Sequence, residues 1–275
     1  MRKCSGNQIK FFMAALMVLD HIPHIPGLVP PLWQGIFHAL TRCVSMWFAY
    51  TAVEGFQYTH SRLHYNLRLL GWGIFMALGN WGIGQLFASK GIHVSNNIFL
   101  TLATGVFLLN VLAAPLEFLQ SWKPWAQNLV RWVVAAPVLL LGMFLTEGGI
   151  VVLPFMLITY FCRNNPKLRN GLYLIFAAFL ASSLPGIVGM YDDWATRIDM
   201  LLFNSDWLFI TVIPFLYLYS GERGKKTPFT KYFTRPIFGS LRPSVTLWHN
   251  RKNHLGSETS VSLPDFMSSA VPGPQ

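Results

Sequence analysis

An imidazole beside a carboxylate is the pair of side chains in this sequence best suited to acid–base chemistry. Asp20 and His21 are adjacent, and an imidazole titrates near neutral pH, so it can accept and return a proton. Adjacent residues on a helix point about 100° apart, so Asp20 need not contact the His21 ring, and Glu147 or Asp206 could orient it instead. His21 is therefore the first candidate for a general acid or base.

Other polar side chains recur at the four-residue spacing that places two residues on one helix face. His38 and Arg42 form one such pair, and Asn97 and Thr101 form another. Glu54 lies further along the same apolar run as Arg42. An ionisable group inside a membrane costs at least about 2.5 kcal/mol on insertion scales. Each of these residues therefore needs a structural or a functional reason.

The composition indicates that membrane-spanning helices hold these side chains. Charged residues make up 12% of the chain and hydrophobic residues 53%, with a mean hydropathy of +0.41, whereas a soluble domain has about 25% charged residues. A spanning helix needs about 20 mostly apolar residues. The sequence therefore predicts an all-α fold, a polytopic transmembrane helix bundle of about eight spans, near residues 8–25, 33–56, 66–88, 96–116, 127–146, 148–162, 170–190 and 201–220.

The basic residues predict the orientation of these spans. With eight spans, 18 of the 21 Lys and Arg residues fall on one side, and only Lys90 and Arg197 fall on the other. Basic residues accumulate in cytoplasmic loops, so we expect both termini to be cytoplasmic in a multi-pass protein of the inner or plasma membrane, with the lipid bilayer as its surroundings. Residues 1–222 would form the membrane unit and 223–275 a basic, polar cytoplasmic tail that we expect to be poorly ordered.

This orientation places polar groups of at least four helices near the outer end of the bundle. One interpretation is that they pair only with each other, for example Asp20 with Arg42, and fix helix packing. Intramembrane ionisable residues are functional candidates by default, and this set is large, so a pocket is the better interpretation. The set comprises His21, His38, Arg42, Asn97 and Glu147.

Charge and cysteine spacing argue against two other classes of site. The net charge is +10, but the basic residues are spread among short segments and form no single patch, so we expect no nucleic-acid partner. Cys4, Cys43 and Cys162 are isolated thiols without metal-ligand spacing. The sequence therefore predicts neither a disulfide framework nor a metal site.

Several blocks of this sequence, including Asp20-His21-Ile22-Pro23 and Val53-Glu54-Gly55-Phe56, resemble the TraX family, the conjugal-transfer pilin acetylation family. The similarity covers roughly residues 8–230, and after Phe233 the chain has Thr234-Arg235-Pro236 and a polar tail where the family usually continues into a last hydrophobic helix. Glu147-Gly148-Gly149 is one of the blocks, and we also expect it to form a tight turn between two helices. The other blocks are Gln8-Ile9-Lys10 to Met17, Asp20-His21-Ile22-Pro23, Arg42, Trp47-Phe48-Ala49-Tyr50, Val53-Glu54-Gly55-Phe56, Thr59, residues 60–68 and Asn96 to Leu102.

The resemblance implies a membrane-embedded acyltransferase that moves an acetyl group from acetyl-CoA, its co-substrate, to an amine or hydroxyl at the far side of the membrane. The acceptor would be a pilin N-terminus or another envelope molecule. On this basis His21 deprotonates the acceptor, and Arg42 with Asn97 stabilises the developing oxyanion. The candidate catalytic residues are His21, Asp20, Arg42, Glu54, Asn97 and Glu147. The candidate cofactor-binding residues, which would neutralise the CoA phosphates, are His60, Arg62 and Arg68.

Two functions of other classes remain open. A proton-coupled secondary transporter also carries ionisable residues and proline-interrupted helices near the membrane midplane. Residues 8–115 and 116–220 show no related motifs or spacing, however, and transporters often have related halves. A non-catalytic membrane assembly factor is the second alternative.

Overall fold

The structure is a computed structural model that describes residues 3–25, 27–90, 97–115, 121–222 and 224. The predicted tail, apart from residue 224, lies outside the described residues. Within them the secondary structure is helical, as predicted, apart from one isolated bridge between Cys4 and Tyr219. The α-helices are α1 (Gly6–His21), α2 (Pro31–Tyr58), α3 (Arg62–Leu86), α4 (Ile98–Leu112), α5 (Pro124–Leu145), α6 (Gly149–Phe161), α7 (Pro166–Ala181), α8 (Leu184–Gly189), α9 (Trp194–Phe203) and α10 (Val212–Leu218).

Length and composition make two of the described helical segments suitable for crossing a membrane. These are α5 and the segment formed by α7 and α8, Pro166–Gly189. A third is possible if α9 and the following segment Ser205–Leu218, which meet at 53°, count as one broken span. The chain is thus a membrane protein. Helices α4 and α6 are apolar but only 15 and 13 residues long, and α2 and α3 are longer but less apolar, so eight spans remain a prediction.

The last predicted span differs from the structure. Residues 201–220 were expected to form one helix, whereas the chain ends α9 at Phe203, continues as a 3-10 helix over Ser205–Thr211 and resumes as α10. The side chain of Asn204 donates to the Met200 carbonyl at 2.9 Å. That contact satisfies a carbonyl at the end of α9, and Asp206 lies in the 3-10 helix that follows the break.

Helix α2 forms the centre of the bundle. It packs against α1, α4, α6, α9, α10 and the 3-10 segment, and its Trp47 and Phe56 are fully buried. Helices α3, α5 and α7 instead direct large apolar side chains outward, including Phe75, Phe144 and Phe179. An apolar outer surface of this kind fits a lipid environment, where it carries no cost of exposure to water.

The turn between α5 and α6 is as tight as the glycine pair predicted. Gly148 adopts a left-handed backbone with φ of +63°, which glycine tolerates without strain. A Cβ atom on Gly149 would collide with the Gly142 carbonyl and would lie 2.7 Å from the Thr146 hydroxyl. Both glycines are therefore required where α5 and α6 meet.

The beginning and the end of the helical unit are joined by backbone hydrogen bonds. The amide of Cys4 donates to the Leu218 carbonyl at 2.7 Å, Ser220 donates to the Cys4 carbonyl at 2.9 Å, and Gly6 donates to the Glu222 carbonyl at 2.8 Å. We call this pairing the terminal clasp. It places the start of α1 and the end of α10 at the same end of the bundle, opposite His21.

Candidate functional site

A cavity lies at the His21 end of the bundle, and it brings together side chains from distant parts of the chain. It has a volume of about 110 Å³ and lies between α1, α2, α3, α4, α6 and the 3-10 segment. Four of the residues singled out for catalysis line it, namely Asp20, His21, Arg42 and Glu147. We call it the His21 cavity. The other predicted site residues are not among its lining residues.

His21 is held in a defined orientation at the end of α1. Its Nδ1 lies 2.8 Å from the Met17 carbonyl oxygen. A carbonyl can only accept a hydrogen bond, so Nδ1 carries the proton, and in the neutral ring Nε2 carries the lone pair. The backbone of α1 therefore selects the tautomer in which Nε2 can act as a base.

Asp20 is oriented by its neighbour on α2. The hydroxyl of Thr41 donates to Asp20 Oδ1 at 2.7 Å, and Thr41 is buried. This contact connects α1 to α2 directly beside His21.

Arg42 makes its ion pair with Asp206. Its Nη1 lies 3.0 Å from Asp206 Oδ1, whereas the packing interpretation expected a pair with Asp20. Nε donates to the His38 carbonyl at 3.1 Å, and Nη2 donates to His38 Nδ1 at 2.9 Å. The His38 ring stacks on Phe203, with 6.4 Å between ring centroids. We call Asp206 and His38 the Arg42 clamp. In the described part of the chain, the hydrogen bonds of Arg42 to these two residues use three of the five N–H groups of the guanidinium.

Glu147 is fixed by the start of α4. Its carboxylate accepts from the Asn97 backbone N–H, and its carbonyl accepts from the Thr101 hydroxyl at 2.7 Å. Glu147 lies in the turn between α5 and α6, where partial burial raises the pKa of its carboxyl and the Asn97 N–H opposes that rise. Arg42 and His21 also oppose the rise, and Asp20 adds to it.

The Asn97 side chain is used for helix packing. Its Oδ1 accepts from the Leu100 amide at 3.3 Å and caps α4, while Nδ2 donates to the Gly73 carbonyl of α3 at 2.9 Å. The predicted oxyanion donor therefore does not point its amide into the cavity. It instead joins α3 and α4 and positions Glu147 through its backbone.

Glu54 lies at the clasp end. It is 12 residues beyond Arg42 on α2, about 18 Å along the helix axis. Tyr219 donates to Glu54 Oε2 at 3.1 Å, and Lys10 and Arg169 lie close enough to interact with this carboxylate electrostatically. Glu54 therefore lies apart from the His21 cavity, and its catalytic role stays a prediction.

The predicted cofactor-binding residues lie together, also away from the cavity. The Arg62 guanidinium sits over the Phe56 ring at 4.8 Å, and that of Arg68 sits over the Tyr65 ring at 5.3 Å. His60 is exposed in the turn before α3. Arg42 and the end of α2 are 16 residues apart, about 24 Å along the axis. The cations thus occupy the clasp end, where a solvent-borne anion could reach them.

The structure shows contacts at the cavity and its rim that the sequence analysis did not predict. Asp206 and His38 had been recognised by depth alone, and their contacts to Arg42 could not be inferred. Thr41 carries no charge, so a search for ionisable residues in apolar segments did not select it. In the described part of the chain no group of three or more His, Cys, Asp or Glu side chains could hold a metal ion.

The comparisons with known proteins give one match. No curated protein and no solved structure matches the chain. The model of one family, described as TraX protein, matches residues 5–234. This range includes every element that lines the His21 cavity, and the chain therefore belongs to the TraX protein family.

Proposed function

We propose that this chain is an integral membrane acetyltransferase that transfers an acetyl group from acetyl-CoA to an amine presented at the His21 end of the bundle. The observation that carries the proposal is the fixed His21 ring, whose Nε2 lone pair belongs to the same cavity as the clamped Arg42. Membership of the TraX family supports it.

The charge of the cavity favours an amine over a hydroxyl as acceptor. Three carboxylates line it, those of Asp20, Glu147 and Asp206, against the single fixed charge of Arg42. Opposite charges attract more strongly when they are partly shielded from water. A protonated amine would therefore concentrate at this site, and one of its protons can pass to a carboxylate or to solvent before the reaction.

The reaction follows from the positions of His21 and Arg42. The neutral amine attacks the thioester carbonyl carbon, and His21 Nε2 takes the proton that the nitrogen loses. N–H groups of Arg42 donate to the oxyanion that forms on the carbonyl oxygen. As the carbon–sulfur bond breaks, His21 returns the proton to the departing thiolate. The products are an amide and free CoA.

The membrane arrangement we propose has eight passes and both termini in the cytoplasm of a cell with an inner or plasma membrane. The terminal clasp supports an even number of passes, since it joins the two ends on one side. The Lys and Arg distribution supports the cytoplasm as that side. His60, Arg62 and Arg68 would then face the compartment that supplies acetyl-CoA, and their charges suit its phosphates. A pilin or another envelope molecule would present the amine.

The test is acetyl transfer by the purified protein in detergent or proteoliposomes. Radiolabelled acetyl-CoA is supplied with a peptide that has a free N-terminal amine, with the same peptide N-terminally blocked, or with a peptide whose hydroxyl side chains are the only acceptors. We expect thiol release and labelling with the free amine, and a loss of about 10²-fold or more in His21→Ala. His64→Ala, an exposed histidine at the other end, is the matched control. Equal turnover in His21→Ala and wild type, in folded protein, would refute the proposal.

One observation favours a second candidate, a proton-coupled transporter. The bent segment of α9 and Ser205–Leu218 presents Asp206 at its break, and broken helices with charged residues mark ion pathways in transporters. Proton flux across proteoliposomes without CoA, abolished in Asp206→Asn, would support this function. Flux equal to that of empty vesicles would exclude it.

A further inference from the structure

The His21 cavity is polar at one end and apolar at the other. The direction of each helix is known from its contacts at the clasp end. Tyr219 donates to Glu54 near the end of α2, and the Tyr160 ring near the end of α6 meets the Phe56 ring edge to face, with 6.0 Å between centroids. Residues later in α2 and α6, and earlier in α1, therefore lie deeper toward the clasp. The Phe209 ring of the 3-10 segment lies at the same depth, because it contacts the Phe155 ring of α6 at 6.0 Å between centroids. We define the apolar floor as five lining residues at this depth: Met17, Met46, Phe48, Val152 and Phe209.

The floor lies about one helical turn below the polar groups. Met17 precedes His21 by four residues, and Met46 follows Arg42 by four residues, which is about 6 Å along each axis. Met46, Phe48, Val152 and Phe209 are all at least nine-tenths buried. The floor is thus an internal apolar surface that adjoins the space where a thioester would react.

This floor is larger than an acetyl group needs. An acetyl group has one methyl to bury, whereas the cavity has a volume of about 110 Å³ and five apolar side chains at its floor. Two of the five floor residues are methionines, whose flexible, polarisable side chains adapt to ligands of different length. The lining therefore suits an alkyl chain extending from a carbonyl that is held beside His21 and Arg42.

We propose that the site accepts acyl thioesters longer than acetyl, with the acyl chain in the apolar floor. This inference rests on the proposed function and specifies its donor. The bonds that change are the same for every chain length: the acceptor nitrogen binds the acyl carbon, the carbon–sulfur bond breaks, and the proton passes by way of His21 to the thiolate. Only the alkyl chain differs between these donors, so a change of rate with chain length measures how well the apolar floor binds that chain.

The experiment compares acetyl-, butyryl- and hexanoyl-CoA with one amine peptide. Each buried methylene is expected to raise kcat/KM about fourfold, so the butyryl-to-acetyl ratio should be about 15 in the wild type. In Met17→Phe, which fills the floor beneath His21 and keeps the Met17 carbonyl, the ratio should fall to about 1. Met190→Phe, at an exposed methionine 82% accessible to solvent, should leave the ratio unchanged.

Because both donors are measured on the same preparation, partial loss of folded protein cancels from the ratio. A wild-type ratio of 1 or less with active acetyl transfer would refute the inference and leave the acetyltransferase intact. A high ratio that Met17→Phe does not lower would show that the chain lies elsewhere. Absence of turnover with every donor, in folded protein, would refute the proposed function itself.

Discussion

Replacing Asp206 by alanine tests whether the Arg42 clamp serves catalysis. Arg42 and Asp206 are 24% and 55% exposed, so their ion pair should contribute no more than about 1 kcal/mol to stability. Loss of a whole oxyanion donor, by contrast, costs about 10²–10³ in kcat. In Asp206→Ala the guanidinium keeps both contacts to His38. We therefore expect an intermediate effect, a fall in kcat of about tenfold, with a nearly unchanged Tm.

The assay measures kcat and KM for acetyl transfer together with thermal unfolding in detergent. Arg42→Ala sets the upper limit of the effect, at a loss of about 10²-fold or more. Asp192→Ala, at an exposed loop carboxylate, is the matched control for loss of one negative charge. If Asp206→Ala kept wild-type kcat, Asp206 would not position a catalytic group. If it lost activity and Tm in parallel, the clamp would be structural.

Three further predictions concern the framework of the cavity. Gly149→Ala should lower the free energy of unfolding by about 1–3 kcal/mol because its Cβ collides with Gly142. Gly171→Ala is the control: nothing lies within 4 Å of its Cβ, so it should change the free energy of unfolding by less than about 1 kcal/mol in either direction. Equal effects of the two substitutions would contradict the packing of the turn. Asn97→Ala should cost about 1–2 kcal/mol through loss of the α4 cap and should leave kcat nearly unchanged, because alanine keeps the backbone N–H that donates to Glu147; a fall in kcat of about tenfold or more would show that the Asn97 side chain acts in the reaction. The folded-state pKa of Glu147 is raised, so its negative charge opposes folding above about pH 4.5, and this loss of stability disappears as the pH falls. Glu147→Gln should therefore be more stable than wild type at pH 7, and the difference should shrink toward pH 4.5. A difference in stability that does not change with pH would refute the raised pKa.

The sequence predicted part of the site because depth in a membrane can be counted along a helix. His21, Arg42 and Glu147 stand out as ionisable residues within or beside apolar runs, and the rise per residue places them at one level. Depth does not say which helices adjoin. The pairing of Arg42 with Asp206 depends on how the 3-10 segment packs against α2, and that required the structure.

Glu54 shows where the family resemblance and the depth along a helix point to different ends of the bundle. Its block in the TraX resemblance suggested a catalytic role, yet counting residues along α2 already places it about 18 Å from Arg42. The structure gives it a separate set of partners at the clasp end, including Tyr219. Lys10 and Arg169 are 4% and 9% exposed. The sequence analysis counted them among the basic residues that predict the orientation of the spans, because basic residues at helix ends usually mark the cytoplasmic side.

The distance between the two ends of α2 constrains how a donor could work. Arg62 and Arg68 lie at the clasp end, and His21 lies at the other, at least about 24 Å away along α2. The fully buried side chains of Trp47 and Phe56 occupy the same stretch of α2. A CoA whose phosphates bind Arg62 and Arg68 can therefore present its thioester to His21 only if its arm runs along a face of α2 past these aromatic residues.

The apolar floor is the part of the His21 cavity that such an arm would reach first, so one surface would have to accommodate both the arm and the acyl chain. Substitutions in the floor should consequently change KM for the donor as well as the preference for chain length, whereas substitutions in the Arg42 clamp should act on kcat.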